Sequence, residues 1–226
     1  MKITDVKKNF EKFTLNIKSL DVPEGKIYGI IGPNGCGKTT AMKLMAGVIR
    51  PDSGQIDFEG LMPRDITMVL RKPYLLHDTV IRNLEYPLKL RKIKPDPDLI
   101  GHYLEIAGLT NYRNDYALSL SGGEQQKLAL IRAMIFSPKM ILIDEAFSNM
   151  DIESVAFFEN YIFDMHRSIM SSPTTWVIIS HQLSNIKRLC EEVIFMHNGE
   201  IIVTGQTEQV LSSPENELLT QYLQYL

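Results

Sequence analysis

The sequence is short of cysteine, of long apolar runs and of positive charge. Its two cysteines, Cys36 and Cys190, lie far apart, which argues against a disulfide framework or a Cys-rich zinc site and points to a reducing, cytoplasmic setting. No stretch approaches the roughly eighteen apolar residues a membrane-crossing helix needs. The opening MKITDVKKNF lacks the apolar centre of a secretory signal, so the chain is not expected to enter the membrane itself. With 27 acidic against 24 basic residues and a net charge of -3, nothing supports a general nucleic-acid-binding surface, and no such partner is expected. Tandem repeats and low-complexity tracts are also lacking. The 226 residues suffice for one large domain with a substantial core.

What is present is a series of short aliphatic runs bounded by turn residues: KIYGIIG (26–32), ITMVL (66–70), MILID (140–144), TWVIIS (175–180), EVIFMH (192–197) and EIIVTG (200–205). Such runs read as buried strands, and the Asn-Gly between the last two makes them a hairpin. Helical patterns, KTTAMKLMAGVI and SVAFFENYIFDMHRSIM, alternate with them. This predicts an α/β fold with a mostly parallel sheet and an antiparallel β part. From about residue 73 to 135 the apolar spacing is helical throughout. An all-helical lobe over 73–135, inserted into a catalytic core of 1–72 and 136–226, is expected within the single domain. KIKPDPDL (92–99), with two prolines, is the nearest thing to a linker.

GPNGCGKTT at 32–40 satisfies G-x-x-x-x-G-K-[ST] with a strand before it and a helix after it. Gly32, Gly35 and Gly37 let the backbone curl so that its N–H groups converge on phosphate oxygens, and the helix N-terminus adds a favourable dipole. Lys38 would bridge the β and γ phosphates of ATP, and Thr39 would hold Mg2+. Pro33, Asn34, Cys36 and Thr40 complete the loop, with Cys36 a small filler rather than a nucleophile. MILIDE (140–145) places two carboxylates at the end of an apolar strand. Beside a phosphate loop, Asp144 suits the Mg2+ shell and Glu145 suits a general base that polarises the attacking water.

LSLSGGEQQKLALIRAMIFSPKMILIDEAFSNMD (118–151) resembles the signature helix, second acidic motif and D-loop of the ABC (ATP-binding cassette) ATPases. Together with the loop at 32–40, the resemblance covers nearly the whole chain. It implies that two copies, as a homodimer or heterodimer, face head to tail. Each would sandwich ATP between its own Lys38 loop and the partner's Ser121, Gly122, Gly123 and Glu124. On residue chemistry alone, Ser121 is equally a plain helix N-cap. The resemblance further implies a switch role for His181, which directly follows a strand, and a D-loop role for Ser148 and Asp151. An adenine-stacking aromatic is expected in the first strands, at Phe10 with Phe13 as its rival.

Two positions depart from the family pattern. The strand ending TMVLRK carries Arg71 where the family has a glutamine, and a guanidinium cannot replace a carboxamide oxygen as a metal ligand. Arg71 is expected to meet the γ-phosphate or Glu145, and contact with Glu145 would slow hydrolysis. Lys72 is expected to face out. Glu124 stands for the usual signature glutamine, its charge harmless if it turns to solvent.

The resemblance implies an ATPase subunit on the cytoplasmic face of the membrane, driving a separate transmembrane permease. An importer of the prokaryotic type is expected, with a solute-binding protein as a further partner and an oxyanion such as tungstate or phosphate as cargo. The chain ends soon after its last helical pattern, with no room expected for an added regulatory domain. The alternative is a family member acting in assembly or cell division. PYLLHDTVIRNLEYPLKL offers Tyr74, Leu75, Leu76 and Tyr86 as a coupling surface for a permease, although Leu75 and Leu76 also read as core. A phosphate-loop kinase is a third reading, disfavoured by the signature motif.

Overall fold

A computed structural model describes residues 1–147, 150–168 (backbone alone over 164–168) and 174–225. The strands form two sheets. In the smaller, β1 (Lys2–Phe10) pairs antiparallel with both β2 (Phe13–Asp21) and β4 (Ser53–Asp57). The larger contains β3 (Ile27–Ile31), β5 (Ile66–Val69), β6 (Met140–Asp144), β7 (Thr175–Ile179), β8 (Glu192–His197) and β9 (Glu200–Gln206). Their order is β5-β6-β7-β3-β8-β9. All neighbours are parallel except β8 and β9. That last pair turns through Asn198 and Gly199, both at positive φ (47° and 82°), as a tight Asn-Gly hairpin turn requires.

Strands β3, β6 and β7 are buried along their whole length, and their side chains alternate between two cores as the pleat demands. Tyr28, Ile30, Met140, Leu142, Val177 and Ile179 face one core, shared with β1, β2 and α1 (Lys38–Met45). Ile27, Ile31, Ile141, Ile143, Trp176 and Ile178 face the other. That second core is covered by α2 (Val80–Leu90), α3 (Pro97–Ile106), α4 (Gly122–Met134), α5 (Ile152–Ser168) and α6 (Leu183–Leu189). Two short helices, α7 (Thr207–Ser212) and α8 (Glu217–Gln224), complete the order. Being covered on both faces explains why the central strands read as unbroken apolar runs.

Between residues 73 and 135 the regular elements are α2, α3, α4 and two 3-10 turns, and among the described residues only an isolated bridge, Thr79 to Tyr116, is extended. Their buried side chains, including Val80, Leu84, Ile100, Leu104 and Leu128, belong to the same apolar cluster as the sheet. The proline-bearing segment 92–99 does more than break structure. Asp96 caps α3 by accepting from the Asp98 N–H at 2.9 Å, and Pro97 is its first residue, a position where the missing N–H costs nothing.

Candidate functional site

Because β3, β7 and β6 are parallel neighbours in that order, the segments leaving their C-terminal ends meet at one edge of the sheet, where open α/β sheets bind ligands. The loop after β3 turns on Gly32, at φ 145°, where an added Cβ would lie 2.1 Å from the Met196 carbonyl oxygen. Gly37, at φ 106°, ends the loop at the start of α1 with Phe13 and Leu15 packed against it. Lys38 is buried, and its ammonium donates to the Gly32 carbonyl at 2.7 Å and the Pro33 carbonyl at 2.9 Å. Two of its three donors go to the loop, so the charge stays at the mouth of the curl. Cys36 is buried, and burial pushes its thiol pKa up, which keeps it from being a thiolate.

Thr39, on the first turn of α1, donates its hydroxyl to Asp144 Oδ2 at 2.9 Å, joining positions 105 residues apart. Burial raises the Asp144 carboxyl above its ordinary pKa, and the charge of Glu145 adds to this while the Thr39 hydrogen bond opposes it. A hydroxyl and a buried carboxylate at this distance are hard oxygen donors of the kind Mg2+ takes, alongside phosphate and water. A bound cation would favour the ionised form of Asp144.

Glu145, the residue after β6, has φ 52°, a conformation that costs a non-glycine residue roughly 1–2 kcal/mol. Its N–H is tied to the Ile179 carbonyl of β7 at 3.1 Å. Its carboxylate is 11% exposed; Oε1 lies 2.6 Å from His181 Nε2, and Oε2 lies 3.2 Å from Arg71 Nη1. Glu145, Ser180, His181 and Asn185 line a small cavity of about 110 Å³. Arg71 thus lies within ion-pair distance of the Glu145 carboxylate. Lys72 is exposed.

The signature residues lie elsewhere. Among the described residues, no hydrogen bond or ion pair joins residues 121–124 to residues 32–40. Glu124, half-buried, turns back on its own helix start: its Oε2 accepts from the Ser121 N–H at 2.8 Å and the Ser121 hydroxyl at 2.7 Å, closing a capping box on α4. The Ser121-x-x-Glu124 spacing is itself the sequence signal for that box. The reading of Ser121 as an N-cap is therefore realised, whatever further ligand its hydroxyl takes. Gly122 and Gly123 form the first turn of α4.

Asp151 caps α5, accepting from the Ser154 N–H at 2.8 Å and the Ser154 hydroxyl at 2.6 Å, and Lys127 of α4 lies 3.6 Å from it. Ser148 falls outside the described residues. Phe10 is 49% exposed and stacks on Phe13, ring centroids 6.2 Å apart, while Phe13 packs against Gly37. Phe10 thus offers a free face next to the phosphate loop. A residue the sequence reading passes over is Gln126, which is fully buried and donates to the Leu70 carbonyl at 3.1 Å. Its signal is a polar residue on the same helical face as Ala129 and Leu130.

A sequence model of the ABC transporter family matches residues 15–148. The tungstate uptake system ATP-binding protein of Peptoclostridium acidaminophilum is 35% identical over 206 residues, spanning 88% of this chain and 95% of its own length. The probable sulfate/thiosulfate import ATP-binding protein of Chlorella vulgaris is 31% identical over 232 residues, spanning 98% and 97%. Two solved structures share the fold. The ATP-binding cassette MJ0796, dimeric in a post-hydrolysis state with ADP and Pi, aligns at TM-score 0.78 and 23% identity over 91% of this chain and 98% of its own. The protein cbiO1 of Clostridium perfringens, part of an ABC transporter complex, aligns at TM-score 0.76 and 21% identity over 95% and 91%. The phosphate loop after β3, the Thr39–Asp144 pair, the carboxylate that follows it and the family match reach one conclusion: the chain belongs to the ABC transporter family, as an ATP-binding ATPase subunit.

Proposed function

We propose that this ATPase subunit powers import of an oxyanion through a separate membrane permease, working as a head-to-tail dimer with ATP and Mg2+ between its halves. The observation that carries the reading is the convergence of Lys38, Thr39, Asp144, Glu145 and His181 at one sheet edge, with no bond among the described residues from residues 121–124 to residues 32–40. A site so divided is completed by a second copy. Lys38 holds the β and γ phosphates with the N–H groups of residues 34–40, and Phe10 supports the adenine. Thr39 and Asp144 hold Mg2+, which when bound offsets the phosphate charge. Glu145 accepts the proton of the attacking water, with His181 fixing the carboxylate through Oε1. In the partner, Ser121 turns its hydroxyl from Glu124 to the γ-phosphate.

The permease has a surface to meet. Tyr74 (80% exposed), Tyr86 and Leu90 border a groove of about 350 Å³ between the strap after β5, α2 and α4. Leu75 is buried and belongs to the core, leaving the tyrosines and Leu76 as the coupling residues. No described helix is long and apolar enough to cross a membrane, which fits a subunit peripheral on the cytoplasmic face. The oxyanion rests on the relatives named for tungstate and for sulfate or thiosulfate. Co-expression with candidate permeases tests the reading. Co-purification with a multi-span protein, and ATP turnover that rises on adding a tungstate- or sulfate-loaded solute-binding protein, is expected; a purely soluble assembly partner would sink it.

A further inference from the structure

Arg71 lies on the strap between β5 and α2, two residues past the end of β5, and the strap is also tied to the helices. Gln126 of α4 holds the Leu70 carbonyl. Arg132 of α4 donates to the Tyr74 carbonyl and, at 3.1 Å, to Asn83 Oδ1. Asn83 of α2, fully buried, in turn accepts from the Leu76 N–H at 2.9 Å and donates to the Leu76 carbonyl at 3.3 Å. Glu145, by contrast, is carried by the sheet, through β6 and its bond to Ile179 of β7. Arg71 itself follows β5, whose Val69 pairs with Ile143 of β6, so the register sets Arg71 beside Glu145 and their 3.2 Å contact lies where the strap leaves the sheet.

With His181 Nε2 on Oε1 and Arg71 Nη1 on Oε2, a water that reaches either oxygen of Glu145 has to displace one of them. The guanidinium itself stays charged at any working pH, so the restraint is lifted only by moving it. We infer that Arg71 is a positioning residue that withholds Glu145 from the attacking water, released when its guanidinium leaves Oε2. The inference rests on the reading of Glu145 as the general base. The Arg71 side chain is 66% exposed, so its removal leaves no cavity.

Steady-state ATP hydrolysis by the full chain, with kcat and KM separated, provides the test. Arg71→Met keeps the aliphatic stem and removes the charge. It is expected to raise kcat about fivefold with the KM for ATP unchanged, the scale of a largely exposed ion pair. Arg71→Gln is expected to match it, and Arg71→Lys to stay near wild type. An unchanged or lower kcat for Arg71→Met, or a raised KM, would overturn the inference, the raised KM by making Arg71 a phosphate ligand. A gain confined to Arg71→Gln would overturn it too, since the introduced carboxamide would then be responsible. Adding Glu145→Gln to Arg71→Met separates the two readings. If the double variant hydrolyses as fast as Arg71→Met, the base assignment fails and takes the brake with it. If it is inactive while Arg71→Met shows no gain, only the brake fails.

Discussion

His181 Nε2 stands 2.6 Å from Glu145 Oε1, so the residue two places after β7 holds the carboxylate that follows β6. Parallel pairing sets this geometry, since Asp144 lies opposite Ile179. With Glu145 as base, Glu145→Gln is expected to bind ATP nearly as wild type and to lose turnover by about 10²–10⁴-fold. Equilibrium nucleotide binding and single-turnover hydrolysis read the two quantities separately; normal turnover would remove Glu145 from the role. His181→Ala is expected to lower kcat more than it changes KM.

Gly32 and Gly35 both have positive φ but differ in what surrounds them. Gly32→Ala would drive a Cβ to within 2.1 Å of the Met196 backbone oxygen, so a large fall in melting temperature is expected. Gly35→Ala meets no atom within 4 Å, and only backbone strain of about 1–2 kcal/mol remains. That variant should fold, and thermal melts of the pair check the contrast.

Phe10 and Phe13 are expected to separate adenine binding from packing. Phe10→Ala removes an exposed ring and should weaken ATP by about 1–3 kcal/mol, the range for a stacked base, with the melting temperature unchanged. Phe13→Ala removes a half-buried ring packed on Gly37 and should lower the melting temperature. Competition with ADP and with inorganic pyrophosphate shows whether the Phe10 loss follows the base: pyrophosphate binding should be indifferent to it.

Asp151 supplies a pH signature. The Ser154 hydroxyl and N–H hold its carboxyl at about 2, below the ordinary 3.8. A lowered pKa in the folded state means that its stabilising contribution is full above about 3.8 and is lost as the pH falls through about 2. Wild type should therefore melt above Asp151→Ala at pH 6, and the gap should close towards pH 2. A gap that persists undiminished there would assign the effect to something other than the charged cap.

Thr39→Ala addresses the metal site. Loss of the hydroxyl removes one of the two oxygen donors and the hydrogen bond to the buried Asp144. Hydrolysis is expected to require a higher Mg2+ concentration for half-maximal rate, while metal-independent nucleotide binding changes little. A titration of rate against Mg2+ reads the shift directly.

Features carried by adjacent residues were legible before any coordinates. The loop at 32–40, the apolar strand ending in Asp144 and Glu145 and the Asn-Gly hairpin each depend on neighbours in sequence, and each forms where its pattern stands. The Glu124 capping box was equally local, being carried by the Ser121-x-x-Glu124 spacing. Helix α3 shows the limit of punctuation rules: two prolines read as a break, yet Pro97 begins the helix because its context supplies the Asp96 cap.

The sequence by itself determined the chemistry on offer: a phosphate-binding curl, hard oxygen donors, a carboxylate at a strand end and a cation after the strand ITMV. Tertiary structure alone decided which of these meet. The order β6-β7-β3 brings Thr39 to Asp144 across 105 residues, and the pairing of β5 with β6, Val69 opposite Ile143, sets Arg71 beside Glu145. Strand order and side-chain reach are properties of packing between distant segments, and no local pattern encodes them.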